Sequence, residues 1–64
     1  MGDVKTTVRY KAKLVELSNR CGLNIPENYG ARDHFMAIME ADVPHHVKYE
    51  ALNYYDRWVV AVFN

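Results

Sequence analysis

Apolar residues recur along this 64-residue chain in three runs, each with the period of an α-helix. In the first run Tyr10, Leu14, Leu17 and Cys21 follow at i, i+4, i+7 and i+11, flanked by Val4, Val8 and Val15. Successive residues of a helix turn through about 100°, so this spacing gathers the side chains on one face. Asp3 or Thr6 suits the cap at the start, and Gly22 stands where a helix commonly ends in left-handed backbone. A rival period runs through the same stretch. Val8, Tyr10, Ala12 and Leu14 alternate with Arg9, Lys11 and Lys13, as a strand would. The helical register is longer and has a stop signal, so a helix over 4–21 is predicted.

The connector GLNIPENYG follows, with Gly22, Pro26, Asn28 and Gly30 as breakers and Leu23, Ile25 and Tyr29 as anchors onto a core. In ARDHFMAIMEAD, Ala31, Phe35, Ile38, Met39 and Asp42 share one face of a short helix over 31–42. Pro44 lacks the N–H that would continue it. The same proline suits the first turn of a third helix, over 44–63, with Asp42 or Val43 as its cap. That helix carries the cleanest stripe: Val47, Ala51, Tyr54, Tyr55, Trp58, Val59 and Val62, with His46, Glu50, Asn53 and Arg57 opposite. Its last part, WVVAVF, is β-branched enough to suit a strand as well.

The pattern therefore reads as all-α, one compact three-helix domain spanning 1–64, with loops short enough for neighbouring helices to pack antiparallel. The alternative is an α+β fold in which N- and C-terminal strands pair.

Composition narrows what such a domain can be. A chain of this length buries only ~60% of its unfolded surface, so its core leaves a stability of a few kcal/mol. Half of the residues are hydrophobic, which argues against disorder. Cys21 is the single cysteine, which excludes an intrachain disulfide framework and points to the cytoplasm. No apolar run approaches the ~20 residues of a membrane span. The net charge of +0 hides an asymmetry. Lys5, Arg9, Lys11, Lys13 and Arg20 crowd the first third, and most of the acids follow it.

Candidate chemistry is sparse. His34, His45 and His46 lack metal-ligand spacing, because adjacent helical histidines diverge by about 100° and no HxxxH or CxxC is present. No metal or other cofactor is expected. The two helix-start histidines read as solvated, with His46 placed to pair with Glu50 one turn on. A thiol near a helix C-terminus gains no thiolate stabilisation, so Cys21 reads as a small core residue. Glycines 22 and 30 lack the Gly-Lys-Ser/Thr sequel of a phosphate loop, and MGDVKT matches the short N-myristoylation pattern no better than chance allows. No enzyme is expected.

Two binding readings remain. A basic first helix offers Arg9, Lys11, Lys13 and Arg20 to nucleic acid, in a helix-turn-helix-like arrangement around ADVPHH. Against it stand Glu50 and Asp56 on the third helix, where a recognition helix needs positive charge. The favoured reading is a protein–protein interaction module that binds a larger protein and self-associates. An inhibitor, an adaptor, an antitoxin-like regulator or a phage accessory protein would all fit it. Its contact residues are expected at the end of the third helix, where Val59, Val60, Val62 and Phe63 make the last turn apolar all round, with Val60 and Phe63, and Trp58 at the margin, meeting the second chain. A turn apolar on every side cannot be buried by neighbours on one side.

Overall fold

The computed structural model describes residues 2–64, which form three helices and no strand: α1 (Val4–Arg20), α2 (Ala31–Glu40) and α3 (His45–Phe63). The strand alternative is overturned at both ends. Asp3 caps α1 by accepting the Thr6 backbone N–H at 3.2 Å and the Thr6 hydroxyl at 2.7 Å, which commits the first residues to helix. The Thr6 hydroxyl is also the main reason the Asp3 carboxyl sits below its ordinary pKa. At the other end WVVAVF continues the α3 stripe, burying Ala61 and half-burying Trp58, Val59 and Val62.

The helix ends differ from expectation by one or two residues, for identifiable reasons. Cys21 is the C-cap of α1 and Gly22 takes φ 78°. Gly22 N–H then donates to the Asn19 carbonyl and Leu23 N–H to the Ser18 carbonyl, both at 3.0 Å, closing the helix end with paired turns. α2 stops at Glu40 rather than 42, because Ala41 turns to extended backbone at ψ 156°. Asp42 is therefore an exposed linker residue and not part of an inward face. Pro44 is itself the N-cap of α3, its carbonyl accepting from Val47 at 3.0 Å.

α1 and α3 run antiparallel and are tied at both ends. Arg20 meets Glu50 at 3.0 Å, and Asp3 N–H donates to the Ala61 carbonyl at 2.8 Å. Between these ties the Tyr10 and Tyr54 rings lie 6.2 Å apart. α2 packs across the pair, nearer the Arg20–Glu50 end. Its Phe35 stacks on Tyr55 at 4.3 Å with planes 8° apart, and Tyr55 continues the stack onto Trp58 at 5.7 Å. The core is Leu14, Leu17, Ala31, Ile38 and Ala51. Burying each large aliphatic side chain contributes about 1.5–3 kcal/mol, so three of them supply most of the stability.

Gly2 is needed where the chain enters. A Cβ there would stand 2.7 Å from the Val62 carbonyl oxygen and 2.8 Å from that of Ala61. Gly2→Val must push the first residues off α3 and break the Asp3–Ala61 hydrogen bond, at a cost of about 1 kcal/mol. A urea titration of the two proteins reads this as a lower midpoint with unchanged slope.

Candidate functional site

The three helices differ in length, and this decides what is left open. α2 has 10 residues against 17 in α1 and 19 in α3. At 1.5 Å per residue α2 spans about 15 Å, while its neighbours span about 25 and 28 Å. With α2 set towards one end, the last turns of α3 and the first turns of α1 have only each other. Four of the exposed large apolar side chains stand there, Val4 at 74%, Val8 at 62%, Val60 at 53% and Phe63 at 83%, while Tyr29, Met36, Tyr49 and Leu52 are exposed elsewhere on the surface.

The three expected contact residues take three different places. Phe63 projects from the end of α3. Val60 lines an open groove between α1 and α3, together with Arg9, Tyr10, Asn53 and Arg57. Trp58 turns inward onto the core, and its indole Nε1 is buried without an acceptor among the described residues. Val4 and Val8, which flank the α1 stripe in sequence, both stand in water. They fall on a different strip of the helix from Leu14 and Leu17. Their spacing with Lys11 and Val15 (i, i+4, i+7, i+11) is the signal that marks a second strip. A shallow recess formed by Val8, Ala12 and Val15, with Lys11, Glu16 and Glu27 at its rim, continues it.

The basic residues do not form one surface. Arg9, Lys13 and Arg20 share a side of α1, while Lys11 lies on another and is half-buried. Arg20 is bound to Glu50, and the Lys13 ammonium sits 5.5 Å above the centre of the Tyr54 ring. Two of the four cations are thus engaged within the molecule.

Glu50 joins this intramolecular set instead of pairing with His46. Its Oε2 accepts from the Tyr54 hydroxyl at 2.8 Å and from Arg20. The Tyr54 hydroxyl and then Arg20 hold the Glu50 carboxyl below its usual pKa, and the same hydrogen bond raises that of Tyr54. His46 adds only a minor favourable field. A carboxylate fixed in this way links α1 to α3.

The residue that the sequence reading missed is His34, although its spacing from Ala31 and Ile38 (i, i+3, i+7) sets it on the inward face of α2. It is fully buried, and its Nδ1 lies 3.1 Å from the Oγ of Ser18, which is buried as well. A serine hydroxyl beside an imidazole is the pairing of a nucleophile and its base. Here both are closed off at 0% exposure, where no substrate reaches them. Among the described residues no three histidine, cysteine, aspartate or glutamate side chains gather as metal ligands, and no helix is long and apolar enough to cross a membrane. No family model, curated protein or solved structure matches the chain.

Proposed function

We propose that this chain is a non-enzymatic interaction module that binds a larger protein, as an inhibitor, adaptor or regulator, and self-associates through the end that α2 leaves uncovered. One observation supports this reading most directly: Val4, Val8, Val60 and Phe63 remain exposed at the same end of the molecule. Scattered apolar residues are ordinary on a protein surface, but several at one end of so small a domain mark a contact site. A partner that covers them supplies the burial that the short α2 cannot. The aromatic ring of Phe63 is the natural anchor, since large aromatic side chains dominate the energetics of interfaces. The nucleic-acid alternative draws support from no comparable observation, because Lys13 and Arg20 are engaged internally.

The test is the double substitution Val60→Asp with Phe63→Ser. Light scattering on the wild type is expected to give a mass that rises with concentration above the 7.5 kDa of one chain. The double variant should stay at the monomer mass with unchanged helicity, because neither residue belongs to the core. A wild type that is monomeric at every concentration, with a variant that still retains its partner protein in a pull-down, places the contact elsewhere.

A further inference from the structure

The Ser18–His34 pair joins three parts of the fold: α1 through Ser18, α2 through His34, and the connector at residues 21–30 through the Pro26 carbonyl beside the ring. Its hydrogen bonding has a definite arrangement. Ser18 Oγ lies 2.8 Å from the Val15 carbonyl and has one hydrogen to give. When that hydrogen goes to Val15, Oγ is left to accept from His34 Nδ1–H. The imidazole is then the Nδ1–H tautomer, assigned from the network, and Nε2 carries a bare lone pair. Nε2 is buried and makes no hydrogen bond as the ring stands, and the Pro26 carbonyl is the one backbone acceptor that favours a proton there. Nε2 is therefore the one position where the ring can gain a proton, and it lies where a charge has no water to solvate it.

The geometry points to an acid-sensitive latch, in which uptake of a proton at His34 Nε2 undocks α2 and the connector from α1. The charged groups acting on the ring come from each side. Lys11 on α1 opposes an imidazolium, while Glu27 in the connector and Asp33 on α2 favour one; α3 adds none to this set. Burial is the largest influence, followed by Lys11, and together they outweigh the Pro26 carbonyl and the two carboxylates. The closed state thus holds the ring neutral below the pKa of ~6.5 that a free histidine has. The sign follows. An opened or unfolded chain binds the proton at pH ~6.5 and below, and the closed state does not. The closed state is at full strength above that pH and loses ground as pH falls through it, by up to tenfold per pH unit in the ratio of closed to open.

α2 is the element that yields, because it is the least secured. It has 10 residues, and its start has no side-chain cap from the preceding residue, Gly30. Asp33 accepts the Gly30 N–H at 3.0 Å, which ties α2 to the connector that moves with it, and the Ser18 pair is its one side-chain hydrogen bond to another helix among the described residues. α1 and α3 remain held by Arg20–Glu50 and by Asp3–Ala61. Short segments held by few contacts open locally before the whole domain does.

The experiment follows the His34 ring by NMR between pH 8 and pH 4.5, with amide exchange in each helix corrected for its intrinsic pH dependence. The ring is expected to titrate below 6.5, with amides of 31–40 losing protection up to tenfold per pH unit while those of α1 and α3 change less. His34→Gln, which has no such proton to gain, should abolish the pH dependence, whereas His45→Gln and His46→Gln, both at exposed positions, should keep it. A folded-state ring that titrates at 6.5 or above overturns the latch. So does acid loosening that persists in His34→Gln, or three helices that open together. If His34→Gln does not fold, the wild-type titration and exchange alone decide.

Discussion

Leu14→Ala is expected to leave the domain mostly unfolded at 25 °C. Leu14 is at 0% exposure in the middle of α1 and belongs to the same buried cluster as Leu17 and Ile38. Truncating such a leucine removes the transfer free energy of three carbons and leaves a cavity that neighbouring helices close only in part. The cost is about 2–5 kcal/mol. A domain with so short a chain has about 3–5 kcal/mol in all. The two quantities are of the same size, so one substitution removes most of the cooperative transition. Circular dichroism at 222 nm during a urea titration reads this as a midpoint near zero denaturant. The control is Val8→Ala on the same helix, where 62% of the residue is already in water and the midpoint should scarcely move. A Leu14→Ala protein that melts with the wild type shows that the core lies elsewhere.

Ala51→Leu is the second large effect, in the opposite sense of volume. Ala51 is at 0% exposure on α3, in the same cluster as Leu14 of α1 and Ile38 of α2. Three added carbons at that point force α3 away from both neighbours or into a strained rotamer. Overpacking of this kind costs about 1–3 kcal/mol. The neighbouring substitution Leu52→Ala makes the comparison sharp. Leu52 is 48% exposed on the outer side of α3, and its loss should cost less than about 0.5 kcal/mol. Two adjacent residues thus give opposite outcomes, with the alanine the more sensitive of the two. Equal thermal midpoints for the two variants would mean that α3 is rotated from the orientation described.

The helices were legible in the sequence wherever the packing follows one repeating face. Leu14 and Leu17 in α1, Ile38 in α2 and Ala51 in α3 all lie on the stripes their spacing defines, and all are buried. The rival strand period in α1 lost because alternation over 8–14 leaves Leu17 without a place, whereas the helix keeps it. Legibility failed where a residue's environment depends on a distant partner. His34 falls between Ala31 and Ile38 on the buried face of α2, but the partner that satisfies its polar ring, Ser18, lies sixteen positions away on another helix. Val4 and Val8 failed for a related reason. Periodicity says which residues share a strip, but the placement of the short α2 decides which strip is covered. Pro44 illustrates a local ambiguity, since proline suits the cap and the first turn almost equally. The exposed end of α3 was legible from composition alone, because four apolar residues in one turn cannot all find shelter on one side.

The order of the helices along the chain has a bearing on synthesis. α1 has its main partner in α3, and the two are joined at both ends. A chain is made from its N-terminal side, so α1 emerges well before the segment that is to shelter Leu14 and Leu17. α2 can offer only Ala31, Phe35 and Ile38 in the meantime, a cover of some two and a half turns. The acceptor for Asp3 N–H is the Ala61 carbonyl, which exists only when the last turn of α3 has been made. Folding therefore cannot be completed piece by piece. Until α3 is made, Leu14 and Leu17 have only α2 to cover them.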